Sequence, residues 1–371
     1  MYMYMYMYPR CRRIHHFEAG ALRISATHVL GNASVAEVFP MTTRHVAVAA
    51  GAALVVGLLV LARRRRSSRA AARHLRILRG IGFKTLTTEM EVAVRLAVQC
   101  GEAMLEAIAA VDSQSGLNLK DGKHGIDPQT ATDLANERLV IDTLKLIFPT
   151  HAVIGEESCA AAGGKVPMVD PSVPTWIVDP IDGTQNFCTS LPLSVVSIGL
   201  CLNGVPALGV IYDPFRDELF VGVAAEGAYL NGVRMRADAK RTALDKAMVL
   251  TDVGYERSPK GARRLAACHE ALLLANTFGV RIVGSTVLAL AWVAAGRASA
   301  FYVGLHKKDV PKAWDWCAAK AIGDASGVVF LRAENDIPFD LTSPSVCAAG
   351  SEALAKTLRR TLCQATVVLK D

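Results

Sequence analysis

The chain has 371 residues, 51% hydrophobic and 20% charged, with a formal net charge of +7. That length allows a large core and about two domains. Nine cysteines, an odd number with no Cys-x-x-Cys pair, argue against a disulfide framework or a zinc site and fit a reducing compartment.

The positive charge is unevenly placed. Residues 1–80 hold 13 Arg, no Lys and two acids, Glu18 and Glu37, while the rest holds 28 basic and 32 acidic residues. The excess belongs to an N-terminal extension and is no argument for nucleic-acid binding by the remainder. The opening Met1–Tyr8 repeat is low complexity and predicts no fold. Val46–Ala62 is an unbroken run of 17 apolar or small residues. As a helix it would be about 25 Å long, at the short end for a bilayer span. Arg63–Arg66 follow it directly. The expectation is a membrane anchor with the Arg cluster and the following chain facing the cytosol. The alternatives are an organelle-targeting presequence, a cytoplasmic location, or a start at Met41 that leaves five residues before the run in a signal-anchor layout.

Downstream the pattern changes to alternating elements. Helices are expected over Thr88–Ile108 and Asp133–Ile147. Strands follow at Thr175–Val178, Val195–Leu202, Ala207–Asp213 and Glu218–Val223, with turns around Gly204 and Gly227. Past Lys246 the order is strand Met248–Thr251, helix Arg263–Asn276, strand Arg281–Val283, helix Val287–Ala295, strand Ala300–Val303, helix Trp316–Ala325. The expected organisation is an extension over 1–84, an α+β part over 85–245 and an α/β part over 246–371. Such alternation predicts a layered α/β fold.

Carboxylates concentrate at the ends of these elements. Strand Thr175–Val178 runs into Asp179-Pro180-Ile181-Asp182-Gly183-Thr184. Pro180 stiffens the turn and Gly183 frees the backbone after it. Two acids so close repel unless a cation lies between them, and all-oxygen donors favour a hard ion such as Mg²⁺. Glu156 and Glu157 follow the apolar run Ala152–Ile154, Asp133 precedes a helix, and Asp315 opens a helix of small residues. Singly, each reads better as a solvated turn or a helix cap. Jointly they predict a multi-metal carboxylate site built from four segments.

These segments resemble the inositol monophosphatase family of Mg²⁺-dependent, lithium-sensitive phosphomonoesterases. The resemblance rests on Thr130-Ala131-Thr132-Asp133, Gly155-Glu156-Glu157, Asp179 to Thr184 ending Asn186-Phe187, Arg281 to Ser285, Trp314-Asp315 and Pro338 to Leu341. It covers about residues 85–365. It implies a sugar-phosphatase-like αβαβα sandwich and a homodimer. It implies that Glu156, Asp179 and the Ile181 carbonyl hold one metal, and that Asp179, Asp182 and Asp315 hold a second. Two or three Mg²⁺ per site follow from it, with Glu157 behind the ligands or on a weaker metal. Asp133 and Thr184 would engage the attacking water, and the Gly183 and Thr184 N–H groups would bind phosphate.

Two departures bear on the substrate. Val303 falls where animal members of the family carry a hydroxyl-binding Glu, and Lys307–Ala313 is an extra basic piece before the late Trp-Asp. The leading expectation is therefore an inositol monophosphatase. A nucleotide 3′-phosphate, a sugar phosphate or histidinol phosphate is the alternative substrate. An aspartyl-phosphate phosphatase needs its two acids two residues apart, and Asp179 and Asp182 are three apart. A tethered binding protein with a dead site is opposed by the complete set of acids. No P-loop, dinucleotide glycine motif or His-based zinc motif competes.

Overall fold

The computed structural model describes residues 69–109, 118–119, 128–253, 257–305 and 311–367. The apolar run 46–62 lies outside them. Among the described residues no helix is long and apolar enough to cross a membrane. The described residues all belong to one compact unit.

A seven-stranded sheet runs in chain order: β3 (Ala152–Gly155), β4 (Thr175–Asp182), β5 (Val195–Leu202), β6 (Val205–Asp213), β7 (Glu218–Val223), β8 (Gly227–Leu230) and β9 (Val233–Arg234). Only β3 and β4 pair in parallel; the rest is an antiparallel meander. All eight residues of β4 are buried, as expected of a strand covered on both faces. The small ladder of β1 (Asn118–Leu119) and β2 (Pro128–Gln129) stands apart.

One face is covered by α2 (Thr87–Ala109), by α3 (Ala131–Ile147) and by α1 (residues 69–81). Ala71, Leu75 and Leu78 recur at helical spacing and pack into this core. His74 Nε2 lies 2.9 Å from Asp217 Oδ1, and Arg73 pairs with the same carboxylate. The expected extension over 1–84 thus contains a helix that is built into the core.

The other face is covered by α7 (Thr286–Ala294) and α8 (Ala313–Ser326), which share a core with the second sheet. That sheet has the order β11 (Gly279–Ile282), β10 (Met248–Thr251), β12 (Ala300–Val303), β14 (Val346–Ala349), β13 (Val329–Leu331). β11, β10 and β12 are parallel, and β14 is antiparallel to both its neighbours. α6 (Pro259–Leu274) and α9 (Glu352–Val367) close the far side. The result is five layers in the order helix, sheet, helix, sheet, helix. α7 is apolar on every side because it lies in the middle layer.

Several boundaries differ from the sequence reading. The strand expected to end at Val178 continues to Asp182, so both aspartates lie within β4. Asp179 pairs with Ser197 and Asp182 with Val195, which leaves one extra residue on β4, a bulge. Pro180 sits in that bulge, where its missing N–H does least harm. α6 starts at Pro259, ahead of Arg263, because the Ser258 hydroxyl accepts from Gly261 N at 3.1 Å and Pro fits the first turn. Gly227 begins a strand.

A row of glycines admits α8. Gly199, Gly209 and Gly222 are cross-strand neighbours on β5, β6 and β7. A Cβ on Gly209 would lie 2.2 Å from the Ala318 carbonyl oxygen, and one on Gly222 2.6 Å from Ile322 Cα. Gly209→Ala should therefore cost up to about 3 kcal/mol of overpacking strain, lowering the melting temperature by roughly 5–10 °C. Gly80→Ala, where a Cβ meets nothing within 4 Å, is the control. Equal melting temperatures for the two variants would disprove the close approach.

Candidate active site

The bulge in β4 and the first turn of α8 meet at one point. Asp179, Asp182 and Asp315 each offer a ligand oxygen, and these atoms all lie within 4.8 Å of one another. Asp179 is 2% exposed and Asp182 5%, while Asp315 is half-buried.

Each carboxylate is fixed by its own local structure. Ile181 N donates to Asp179 Oδ1 at 3.0 Å, a bond that the bulge makes possible. Val287 N at 3.0 Å and the Ser285 hydroxyl both donate to Asp182 Oδ2, tying it to the start of α7. Lys312 N donates to Asp315 Oδ2 at 2.6 Å as α8 begins. Gly183, which leads into the short α5 (Thr184–Cys188), has φ of +85°, and a Cβ there would lie 2.9 Å from Leu193 O and 3.0 Å from Gly284 O. Only glycine suits that position.

Burial dominates the electrostatics. It raises the Asp179 carboxyl well above the usual range, and the charges of Glu156, Asp182 and Asp315 raise it further. Burial likewise pushes Asp182 up to about 7 against the opposing bond from Ser285, with Asp252 and Glu156 adding to the rise. Asp315 is raised by burial first and by Asp182 next. A largely buried set of mutually repelling carboxylates offering only oxygen fits a hard divalent cation, which would neutralise it.

The paired glutamates open α4 (Glu156–Ala161). Glu156 lies close enough to Asp179 to raise its pKa by charge and by a hydrogen bond. It stands outside the tight group of three. Glu157 is 1% exposed and accepts from the Gln129 amide. Asp133 is the third residue of α3 and closes a capping box with Thr130. Burial pushes it up to about 7, opposed by the Thr130 bonds and assisted by Glu157 and Glu156. The Thr184 hydroxyl lies 2.9 Å from Ile181 O and 3.4 Å from Asp133 Oδ1. Its one proton goes to the nearer carbonyl, with Asp133 as the alternative acceptor. All the acids singled out in the sequence therefore surround one region.

The sequence reading gave no role to three residues that bear on this region. Ser285 holds Asp182. Asp252, just past β10, raises the pKa of both Asp182 and Asp315. Glu137 accepts from Glu157 N and Ser158 N, both at 2.7 Å. Glu137 stands four residues after Asp133, on the same helix face, which is the one local signal for it. Val303 is 5% exposed and packs in the core between the sheets. Lys312 and Ala313 of the basic insertion lead into α8, while residues 306–310 lie outside the described ones.

The sequence model of the inositol monophosphatase family matches residues 86–366. Inositol monophosphatase 1 of Bos taurus is 35% identical over 272 residues, covering 73% of this chain and 92% of its own. Inositol monophosphatase 2 of Rattus norvegicus is 36% identical over 273 residues, covering 73% and 89%. Among solved structures, the extragenic suppressor protein suhB of Bartonella henselae superposes with a TM-score of 0.63 at 28% identity, covering 74% of this chain and 98% of that one. The inositol monophosphatase of Anabaena (Nostoc) sp. gives 0.60 at 28%, covering 76% and 97%. The chain belongs to the inositol monophosphatase family and is a phosphoric monoester hydrolase.

Proposed function

We propose that the protein hydrolyses inositol monophosphate with two or three Mg²⁺ ions held by Glu156, Asp179, Asp182, Asp315 and the Ile181 carbonyl, with Glu157 behind them. The observation that carries the metal reading is the convergence of three carboxylate oxygens within 4.8 Å in a buried site. The substrate follows the names of the relatives. Held by these residues, a hard divalent cation would supply activation of water and neutralisation of charge on the phosphoryl and leaving oxygens.

The chain's own groups supply the rest. Water adds to phosphorus, the P–O bond to the alcohol breaks, the departing alkoxide takes a proton from solvent, and a proton of the attacking water must leave. Thr184 and Asp133 form the route for it: the hydroxyl oxygen accepts while its own proton passes to Asp133. Burial gives Asp133 a proton affinity near neutrality, which suits a general base. Backbone N–H groups of Gly183 and Thr184 orient the phosphate. No side-chain nucleophile is required, so the phosphoryl group passes directly to water.

A second reading, hydrolysis of other small phosphate monoesters, is favoured by the placement of Val303. Its side chain is packed in the core, so that position offers the alcohol portion no carboxylate. Each charge-assisted hydrogen bond lost is worth about 1.5–3 kcal/mol. Phosphate release over a panel should show inositol 1-phosphate cleaved together with some sugar phosphates or nucleotide monophosphates. Hydrolysis of inositol phosphates alone, by several orders of magnitude, would refute the broad reading. Failure on inositol 1-phosphate would refute the first.

Asp179→Asn removes a negative charge from the centre of the cluster. Several kcal/mol of charge stabilisation go with it, so kcat at saturating Mg²⁺ should fall roughly 10³-fold. The melting temperature without metal should hold or rise, because a buried repulsion is relieved. Near-normal turnover would remove Asp179 from the ligand set.

The raised carboxyl pKa values set a pH dependence. For Asp182 the folded value is about 7 against an ordinary 3.8. The folded metal-free protein thus binds more protons than the unfolded chain between these limits, and its stability falls as pH rises through that window. A cation must displace those protons, so Mg²⁺ stabilises more at high pH. The thermal shift produced by 10-fold steps of Mg²⁺ should be larger at pH 8 than at pH 5. A shift independent of pH would show that the three carboxylates do not bind the ion.

A further inference from the structure

We propose that Glu137 is a positioning residue that holds Glu156 and Glu157 at the metal cluster by clamping the first turn of α4. The proposal rests on the reading of Glu156 as a metal ligand. Glu137 is 3% exposed and sits on α3, one turn beyond Asp133. Its two carboxyl oxygens are both used. Glu157 N donates to Oε2 at 2.7 Å, Ser158 N donates to Oε1 at 2.7 Å, and the Ser158 hydroxyl donates to Oε1 as well.

These bonds satisfy backbone donors that the start of a short helix leaves without internal partners. They also fix the direction in which Glu156 and Glu157 leave the chain. The seat is tight on the remaining side. A Cβ on Gly155 would lie 2.5 Å from the Glu137 carboxyl carbon, so the residue before the glutamate pair must be glycine for the clamp to close. α3 then carries two parts of one site at a fixed spacing: Asp133 facing Thr184, and Glu137 setting the pair at α4. Only a carboxylate serves here. An amide would turn its own N–H₂ toward at least one of the donors.

The test is the affinity of the full-length protein for Mn²⁺ alone, read from the signal of free Mn²⁺ by electron paramagnetic resonance, without substrate. Glu137→Gln should weaken Mn²⁺ binding by roughly 10–100-fold, the usual effect of disturbing a group that orients a ligand. Glu156→Gln should weaken it as well. Leu144→Ala, a core truncation on the same helix, should lower the melting temperature and leave Mn²⁺ affinity unchanged. That contrast separates positioning from mere stability. If Glu137→Gln does not fold, Ser158→Ala removes one of the three donors and should weaken binding in the same direction, by less. Wild-type affinity in Glu137→Gln beside weakened affinity in Glu156→Gln would overturn the clamp and spare the ligand assignment. Wild-type affinity in both would overturn the ligand assignment and the clamp with it.

Discussion

The contact on which this structure depends is the approach of α8 to the seven-stranded sheet. Gly199, Gly209 and Gly222 form a trough one residue wide across three strands, and the α8 backbone lies in it. Any side chain in that row would lift the helix. The floor of the trough ends near β4, so the helix that runs along it delivers its first turn, with Asp315, onto the bulge that carries Asp179 and Asp182. Small residues on α8 serve the same end from the other side: Ala318 and Cys317 face Gly209 and Gly199. A packing rule, close backbone approach through glycine, thereby fixes the separation of three charged groups.

Those groups are expensive to bring together. Burial and mutual repulsion raise all three pKa values. The folded state tolerates them because each oxygen cluster is anchored by backbone donors: Ile181 N, Val287 N and Lys312 N. The site thus combines local donors that hold the geometry with a charge imbalance that bound protons relieve at low pH and a cation relieves above it. This is the kind of place where stability is given up for chemistry.

How much of this was legible in sequence depended on range. Asp179, Asp182, Glu156, Glu157, Asp133 and Asp315 sit in short segments whose residue types state their chemistry, and the structure gathers them around one region. Strands β5 and β7 match the expected bounds and β6 begins two residues earlier, directly after the turn at Gly204 that separates it from β5. The length of β4 was not legible, because Pro180 normally ends a strand and its tolerance here depends on a bulge opposite Ser197 and Val195. β14 and α9 carry no catalytic motif that marks them in the sequence. α1 was hidden beside an Arg-rich stretch, although Ala71, Leu75 and Leu78 have helical spacing. The pairing of Ser285 with Asp182 spans about a hundred residues and leaves no local pattern. Val303 reads in sequence as a missing carboxylate, and the strand register adds that its side chain turns into the core, since Phe301 and Val303 share the face that meets α7 and α8.

Assembly and chemistry share the same atoms at the junction of the two sheets. Asp182 belongs to β4 of the first sheet and accepts from Ser285 and Val287 at the start of α7, the helix that follows β11 of the second. Asn186, four residues on, donates to Val283 O at 2.9 Å and Gly284 O at 3.1 Å. Gly183 brings its backbone within reach of the same Gly284 carbonyl. The segment Asp182–Asn186 is therefore a seam as well as a site. A rotation of the second sheet that broke these bonds would also displace Asp182, and Asp315 would move with α8. Geometry at the carboxylate cluster is in this way a readout of how the sheets are docked, which explains why residues as distant as Gly209 bear on it without touching it.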